Sequence, residues 1–163
     1  MIDKFEDKYR FLSNFYPSEI IHDGIRYPTN EHYYVAMKVN DPQTIKIDDE
    51  LVTLDVKECR KYISKIRTSG DVKRFGRKQI KVREDWDDVK LSVMEYGVRY
   101  KFTKHEDLKN MLLDTGDKEL VEGNHWHDTY WGVCECPKCG NRGENNLGKT
   151  LMMIRDEIRN GRQ

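Results

Sequence analysis

An acid and an amine are spaced seven residues apart in the stretch PTNEHYYVAMK, residues 28–38. Pro28 and Thr29 predict the start of a helix, because proline suits a first turn and a threonine hydroxyl caps exposed amides. Glu31 would then lie in the first turn, where a carboxylate gains about 0.3–1 kcal/mol from the positive helix end without having any function. Lys38 follows two turns later on the same helix face. The pattern therefore places a carboxylate and an amine on one wall.

Aromatic and polar side chains crowd the stretch HWHDTYWGV, residues 125–133. The indole rings of Trp126 and Trp131 can stack on a nucleobase, and Asp128 can stabilise positive charge that develops during a reaction. A buried aromatic corner with a capping aspartate explains the same residues without a ligand. These residues alone leave both interpretations open.

Three of the four cysteines form a C-x-C-x2-C pattern in the loop 134–140: Cys134, Cys136 and Cys139. Its CPKCG end has the shape of a zinc knuckle, so a structural zinc is possible. Such a site needs four ligands, and three thiolates do not favour a catalytic metal. The candidates for the fourth ligand are Cys59, His125, His127 or a residue of a partner chain. Reduced surface thiols are the alternative interpretation.

Positive charge is concentrated between residues 57 and 83, where eleven lysines and arginines face only two acids, Glu58 and Asp71. Within this basic block Arg77 follows a glycine, where the backbone can approach a ligand and the guanidinium can bind a phosphate through two hydrogen bonds. Solvated helix faces explain the block equally well.

The elements that must position these residues are predicted to be mainly helical. Residues 18–28, SEIIHDGIRYP, predict a small hairpin with Asp23-Gly24 at its turn. Apolar residues spaced three and four apart predict helices over 84–102 and 147–158, with a shorter helix around 108–112.

Charged residues add two expectations to this outline. Glu84 and Asp85 would open the long helix, and Lys101 and Lys104 would close it, as the helix macrodipole prefers. The charged stretch 41–55 is expected to be a solvated loop or insertion.

Length and composition bound the class of protein. The 163 residues suffice for one domain but not for two ordinary ones. Lysine plus arginine equals aspartate plus glutamate at 29 each, so no global field attracts a polyanion. The sequence lacks the roughly 18 uninterrupted apolar residues of a membrane span, and its charged opening does not fit a signal peptide. Clustered cysteines suit a reducing compartment, so a soluble cytoplasmic protein without membrane partners is expected.

Five blocks taken together resemble the NADAR family, also called YbiA-like proteins. They are FLSNFYP (11–17), YPTNEHYYVAMK (27–38), FGR (75–77), DTYWG (128–132) and NNLGKTLM (145–152). The resemblance implies a mainly α, single multihelical domain over residues 1–163 with a small N-terminal β-hairpin element. It also implies an N-glycosidase that cleaves an N-ribosyl bond, either in ADP-ribose attached to guanine or in phosphoribosylated pyrimidine intermediates of riboflavin synthesis.

The resemblance assigns site residues by position, with Asn30 standing where many members have serine. Glu31, Lys38 and Asp128 would be catalytic. The substrate-binding residues would be Ser13, Asn14, Phe15, Arg77, Trp131, Gly132, Asn145 and Gly148. A cysteine-bearing loop at 134–140 departs from the glycine-rich loop that the bacterial YbiA type has there, and this leaves the substrate open.

The chemistry that this implies needs no metal or organic cofactor. A carboxylate such as Glu31 stabilises the sugar cation or opened-ring imine and moves protons, while Lys38 either forms a Schiff base or holds a phosphate. The expected partners are an ADP-ribosylated or phosphoribosylated nucleobase and single-stranded nucleic acid. ADP-ribose on guanine is favoured, because the basic block offers more charge than one monophosphate requires. Two other classes stay open: a non-catalytic ADP-ribose or nucleotide-binding module, and a zinc-knuckle nucleic-acid protein.

Overall fold

The computed structural model of the chain describes residues 1–161. It divides into two compact units, which we call the hairpin unit, Pro17–Val93, and the terminal unit, Met1–Tyr16 with the chain from Met94 onward. The described residues are mainly helical, with short strand pairs between the helices, as the sequence predicted. None of the described helices combines the length and apolar character that a membrane crossing requires.

The hairpin unit carries two antiparallel strand pairs and three complete helices. Its elements are β1 (Pro17–His22), β2 (Ile25–Thr29), α1 (Asn30–Ala36), β3 (Gln43–Ile47), β4 (Glu50–Leu54), α2 (Val56–Ser64) and α3 (Ser69–Gln79). The helix α4 (Trp86–Thr103) begins in this unit and continues into the terminal unit.

The predicted N-terminal hairpin is confirmed as β1 paired with β2. Asp23 and Gly24 between the strands have φ angles of 49° and 75°, which a type I′ turn requires at both central positions. On the strands Ile20, Ile25 and Tyr27 are buried, because alternate side chains of a strand point to one face. The hairpin thus ends directly at the start of α1.

The expectation of a loop over residues 41–55 was wrong. The segment forms a second hairpin in which five residue pairs join β3 to β4, from Gln43 with Leu54 to Ile47 with Glu50. Asp48 and Asp49 supply the turn with φ angles of 48° and 66°. Ile45 is fully buried and Gln43 is 4% exposed, so alternate side chains of β3 point to the protein interior. The high charge of the stretch concealed this alternation.

The terminal unit is built around three helices and a short parallel strand pair. Its elements are a 3-10 helix (Asp7–Leu12), the second part of α4, α5 (Glu106–Leu113), β5 (Gly123–Asn124), β6 (Val133–Cys134) and α6 (Asn146–Arg159). The predicted helices over 84–102, around 108–112 and over 147–158 are confirmed with small differences at their ends. Each helix of this unit, including the 3-10 helix, buries apolar side chains. Among them are Phe11, Leu12, Val98, Phe102, Leu112, Leu151 and Ile154.

The expected charges at the ends of α4 need two corrections. Glu84 and Asp85 precede the helix, and both carboxylate oxygens of Asp85 accept hydrogen bonds from the Arg83 guanidinium, at 2.6 and 2.9 Å. Lys101 does not reach solvent but is 1% exposed, and its Nζ donates a 2.7 Å hydrogen bond to the carbonyl oxygen of Ser13. Burial lowers the pKa of Lys101 to about 7, against an opposing effect of Glu122.

Candidate active site

The residues predicted to act on a substrate fall into two groups, one within each unit. Glu31, Lys38 and Arg77 belong to the hairpin unit, whereas Asp128 and the remaining predicted site residues belong to the terminal unit. Each group is described within its own unit.

Local hydrogen bonds fix the first turn of α1. The hydroxyl of Thr29 caps the helix by accepting from the backbone N–H of His32 at 3.2 Å, as the sequence predicted. The His32 ring lies 2.7 Å from that hydroxyl through Nδ1 and 2.7 Å from the carbonyl oxygen of Ile66 through Nε2. Burial lowers the pKa of His32, so the neutral ring donates from Nε2 and accepts at Nδ1. Glu31, 8% exposed, is held between these two anchored residues.

The helix α1 is shorter than its sequence suggested. It ends at Ala36, and Lys38 lies just beyond it, with its N–H bonded to the carbonyl oxygen of Val35 at 3.1 Å. Arg60 donates to the carbonyl oxygens of Ala36 at 3.2 Å and Val39 at 2.8 Å, which satisfies the helix end. The position of Lys38 is therefore set by a tight turn rather than by a second helical turn.

Lys38 lies in an aromatic and positively charged environment. Its Nζ is 5.4 Å from the ring centroid of Tyr34 and 5.8 Å from that of Trp86, within the range of cation–π attraction. Burial lowers the pKa of Lys38 most, and the charge of Glu31 opposes that shift. The carboxylate and the amine thus interact electrostatically, although not through the shared helix face that their spacing predicted.

Three cations act on the Lys38 amine: Lys73, Arg77 and Lys90 each lower its pKa further. Neither Lys73 nor Lys90 was singled out from the sequence as a neighbour of the site. The only available signal for Lys73 was its place one helical turn before Arg77. Lys90 is also paired with Asp87, at 3.0 Å, so Lys73, Arg77 and Lys38 supply the positive charge that suits a phosphate in this part of the hairpin unit.

Arg77 is an exposed residue near the end of α3. The preceding Gly76 is buried, and a Cβ built on it would lie 2.9 Å from Cγ1 of Val35. Gly76 therefore permits close packing of α3 against α1, and the expected approach of its backbone to a ligand is replaced by this packing role.

The basic block divides into residues with different functions. Arg60 binds backbone carbonyls, Arg74 lies 3.2 Å from Asp71, and Arg83 is paired with Asp85. Only part of the block, Lys73 and Arg77, acts on Lys38. Several of its charges therefore serve the fold or the surface.

In the terminal unit Asp128 holds a turn. Its Oδ1 accepts from the backbone N–H of Tyr130 at 3.2 Å and of Trp131 at 2.9 Å. The Asn124 side chain bonds to both the N–H and the carbonyl oxygen of Asp128, at 3.1 and 2.8 Å. The capping interpretation of this aspartate is thus confirmed, and its catalytic role stays a prediction.

The aromatic residues around this turn differ in exposure. Trp126 is 56% exposed, whereas Trp131 is partly buried with its ring 4.7 Å from the ring of Tyr130 in an edge-on contact. Stacking of either indole on a base remains a prediction.

Three further predicted ligand residues have structural contacts in the terminal unit. A Cβ on Gly132 or Gly148 would collide with the carbonyl oxygen of Glu122 or Leu120, so both positions require glycine. The Asn145 side chain donates to the Leu120 carbonyl oxygen at 2.9 Å and accepts from the Glu122 N–H at 3.0 Å. These contacts position backbone, and contact with a substrate stays a prediction.

The S-N-F block follows the 3-10 helix of the terminal unit. The Ser13 hydroxyl accepts from the N–H of Phe15 at 3.1 Å, and the Asn14 amide lies 3.5 Å from the sulfur of Met94. Phe15 is 42% exposed. The buried amine of Lys101, which was predicted only to close the long helix, anchors this block through Ser13.

The cysteine-bearing loop gathers four potential metal ligands. Donor atoms of His127, Cys134, Cys136 and Cys139 all lie within 4.8 Å of one another. Of the four candidates for a fourth ligand, the structure selects His127. Cys59 is buried in α2 of the hairpin unit, and His125 lies 3.6 Å from Glu135. The chain therefore carries a Cys3His cluster that could bind a metal.

Comparisons with known proteins agree with this architecture. A sequence model of the NADAR domain matches residues 2–159. The NMR structure of the E. coli protein YbiA superimposes with a TM-score of 0.74 at 30% sequence identity, covering 99% of this chain and 88% of that chain.

Relatives with a stated activity match over similar lengths. An N-glycosidase of Nostoc punctiforme is 38% identical over 153 residues, covering 93% of this chain and 87% of its own. The N-glycosidase YbiA of Escherichia coli is 33% identical over 153 residues, covering 93% and 83%. A riboflavin biosynthesis protein of Vibrio vulnificus is 33% identical over 153 residues, and this chain spans 36% of its length. The domain match over nearly the whole chain, with relatives of similar length, shows that the chain belongs to the NADAR family.

Proposed function

We propose that the chain is an N-glycosidase that hydrolyses an N-ribosyl bond, with ADP-ribose attached to guanine as its substrate. The observation that carries the proposal is the Lys38 amine, whose pKa is lowered by burial and by three neighbouring cations while the nearby Glu31 carboxylate opposes the shift. Relatives of similar length named N-glycosidases support the reaction class.

Glu31 is proposed to stabilise charge and move protons. As the bond between ribose and the base breaks, positive charge develops on the sugar, either as an oxocarbenium ion or as an opened-ring imine. A buried carboxylate favours that charge and can activate the water that completes hydrolysis. A pure recognition site for an anionic ligand gains nothing from such a carboxylate.

Lys38 is proposed to react as a neutral amine. A lysine attacks C1 of the opened-ring imine only when it is deprotonated, and a lowered pKa increases that fraction. The C1–N bond to the base then breaks, the base leaves with its amino group restored, and water hydrolyses the lysine imine to free the sugar and Lys38. Tyr34 and Trp86 restrict its position, because both rings lie within 6 Å of the nitrogen. Phosphate binding by protonated Lys38 is the alternative role.

Arg77 and Lys73 are proposed to receive the phosphates, because Lys90 is already paired with Asp87 at 3.0 Å. A guanidinium binds phosphate oxygens through two parallel hydrogen bonds, while the lysine adds a point charge. Several cations around one amine exceed the need of a single phosphate monoester, and this favours the diphosphate of ADP-ribose.

In the terminal unit we propose that Asp128 positions rather than reacts. Its Oδ1 holds the N–H groups of Tyr130 and Trp131, and this turn would present the Trp131 indole for stacking. Ser13, Asn14, Phe15, Gly132, Asn145 and Gly148 are proposed to shape the substrate-binding surface of this unit.

Catalysis is proposed to use protein groups alone, so that any metal at the cysteine-bearing loop is a structural zinc. We also propose a cytoplasmic location, because none of the four cysteines forms a disulfide and thiols remain reduced there.

A second candidate substrate is favoured by the relatives named as riboflavin biosynthesis proteins, in Vibrio vulnificus and Zea mays. It is a phosphoribosylated pyrimidine intermediate, whose N-ribosyl bond breaks by the same chemistry. A non-catalytic ADP-ribose-binding module is the candidate of another class.

The decisive experiment offers the purified protein both ADP-ribosylated guanosine and the riboflavin-pathway ribosylamine, with products analysed by mass spectrometry. Release of unmodified guanosine and ADP-ribose is the expected result. Cleavage of the ribosylamine alone would establish the second substrate, and binding of ADP-ribose without cleavage of either would establish the binding module.

A further inference from the structure

We propose that His127 completes a zinc site with Cys134, Cys136 and Cys139, and that the bound ion braces the turn between Asp128 and Gly132. The inference does not depend on the glycosidase reaction, because all its residues lie in the terminal unit and its tests measure metal binding and local protection.

The donor atoms are spaced as one ion requires. With bond lengths of about 2.3 Å to sulfur and 2.0–2.1 Å to nitrogen, tetrahedral zinc separates its ligand atoms by roughly 3.5–3.8 Å. Nδ1 of His127 lies 3.3 Å from Sγ of Cys139 and 3.4 Å from Sγ of Cys136. All four donor atoms lie within 4.8 Å of one another, so small adjustments enclose an ion.

The chemistry of the donor set selects the metal. Three thiolates and one imidazole match a structural zinc site, while Mg²⁺ and Ca²⁺ prefer oxygen ligands. The nearest acid in sequence, Glu135, is oriented elsewhere, with its Oε2 3.6 Å from His125 and 3.9 Å from Lys4. Four protein ligands leave no position for a reacting water, so the site is structural.

The backbone already has the shape of a zinc knuckle. The N–H of Cys139 points at Sγ of Cys136 at 3.4 Å, and the N–H of Gly140 bonds to the carbonyl oxygen of Cys136 at 2.9 Å. Gly140 has a φ angle of 62°, which glycine adopts without strain. The N–H of Cys134 bonds to the carbonyl oxygen of Arg142 at 2.9 Å and closes the loop.

His127 is held in a costly conformation that turns its ring toward the sulfurs. Its φ angle of 69° is left-handed, which costs a non-glycine residue about 1–3 kcal/mol. The Asn124 side chain holds the backbone on both sides of His127, because its Oδ1 accepts from the N–H groups of Trp126 and Asp128 at 3.2 and 3.1 Å. A metal–nitrogen bond would hold the ring as well.

The ligands flank the turn that carries Asp128 and Trp131. His127 immediately precedes Asp128, and Cys134 follows Gly132 by two residues. An ion that joins these ligands closes both ends of the turn at once. Inside the turn the Asp128 carboxylate and the Asn124 side chain hold the backbone, and the carbonyl oxygens of Thr129, Tyr130 and Trp131 accept from the N–H groups of residues 144, 146 and 147. The zinc ligands would add a restraint at the two ends of the turn. Zinc would therefore reduce the opening of this segment.

The first test measures zinc content and affinity in the full chain. We expect one zinc per chain by elemental analysis and, after replacement with Co²⁺, an absorption spectrum of a tetrahedral site with sulfur ligands. His127→Ala should lower zinc affinity by about 100-fold or more. Mutating residues that merely hydrogen-bond to metal ligands already lowers affinity about 10-fold to 100-fold, and a ligand itself should matter more. His127→Cys should restore tight binding as a four-thiolate site.

The matched control is His125→Ala, because His125 lies two residues away, is exposed and does not belong to the cluster. It should bind zinc like the unaltered protein. Substoichiometric zinc after reconstitution, or equal affinity of His127→Ala and His125→Ala, would overturn the proposed ligand set.

The second test addresses the bracing of the turn. Hydrogen exchange at the amides of Tyr130 and Trp131 should be slower in the zinc-bound protein than after chelation, while amides in the middle of α6 should be unchanged. Equal exchange at the turn amides in both states would leave zinc as a ligand but refute the bracing. This readout does not require any glycosidase activity.

Discussion

At the scale of single residues, the structure distinguishes side chains that can react from side chains that hold backbone. Glu31 and Lys38 influence each other electrostatically and are partly shielded from water. The side chains of Asp128 and Asn145 form hydrogen bonds with backbone groups instead. The chemical proposal therefore depends on the first pair.

Glu31→Gln should lower turnover about 100-fold to 10,000-fold, because the amide keeps the shape of the carboxylate but cannot carry its charge or its proton. Steady-state kinetics on the identified substrate, with binding followed by calorimetry, measure the effect. Glu84→Gln, at an exposed position in the same unit, should keep full activity. Full activity of Glu31→Gln would remove the residue from the mechanism.

Arg77→Ala should weaken the binding of phosphorylated substrates and spare a nucleoside analogue without phosphate. Arg74→Ala is the matched control, because Arg74 lies on the same helix but is paired with Asp71. Comparing KM for both substrates in both variants measures the effect. Equal losses on the two substrates would make Arg77 a structural residue.

The pH dependence follows from the neighbours of Lys38. If the neutral amine reacts, kcat/KM rises as pH increases through the lowered pKa of Lys38. Lys73 lowers that pKa, so Lys73→Gln should raise it and move the rise in kcat/KM to higher pH. Lys78→Gln, at an exposed position on α3, should leave the profile in place. A profile that Lys73→Gln does not move would favour phosphate binding as the role of Lys38.

At the scale of elements, the spacing of apolar residues along the sequence predicted those helices and strands whose buried face is regular. The helices α4 and α6 were found because their apolar residues recur along one face, and β1–β2 because Asp23-Gly24 marks a type I′ turn. The hairpin β3–β4 was missed because the charged residues of the stretch 41–55 conceal the alternation of its buried residues, Gln43 and Ile45. A local pattern cannot show which tertiary contact will compensate for exposed charge.

The candidate site likewise depends on tertiary contacts that a local sequence pattern does not show. The spacing of Glu31 and Lys38 predicted their interaction, although a turn rather than a longer helix produces it. Lys73 and Lys90 act on Lys38 from other elements, and no spacing in the sequence connects them with it. The burial of Lys101 was equally hidden, because a lysine near a helix end usually reaches water.

The buried Lys101 in α4 gives the stability of the protein a predictable pH dependence. Its pKa is about 7 when folded against 10.5 ordinarily, so between these values the unfolded chain binds more protons. Stability therefore rises with pH across this window, and the gain between pH 7 and pH 9 is roughly 2 kcal/mol from this residue. Lys101→Met should lack that gain.

Urea unfolding at pH 7 and pH 9 measures the difference between the protein and Lys101→Met. The exposed Lys104→Met at the same helix end serves as the control and should follow the unaltered protein. Parallel pH dependence in all three proteins would show that Lys101 is not the source.

At the scale of the whole molecule, charge is balanced overall but not locally. Lysine plus arginine equals aspartate plus glutamate at 29 each, while the region 57–83 is strongly basic. The molecule as a whole has no attraction for nucleic acid, so affinity for a strand must come from this region.

If a modified guanine in single-stranded DNA is the substrate, ADP-ribose release should slow as salt rises, because phosphate contacts release counterions on binding. Release from free ADP-ribosylated guanosine should depend on salt much less. Rates on an oligonucleotide and on the nucleoside across a salt series provide the comparison. Equal salt dependence would confine recognition to the modified nucleotide itself.

The missing side chain at Gly76 also restricts how this protein can diverge. A Cβ at that position would meet the stiff, branched side chain of Val35 at 2.9 Å, so a larger residue would force α1 and α3 apart. Because Glu31 lies in the first turn of α1 and Arg77 follows Gly76, such a shift would disturb the carboxylate and the guanidinium together. Evolutionary drift at position 76 is thus coupled to the placement of both side chains, whereas exposed neighbours such as Lys78 are free to vary.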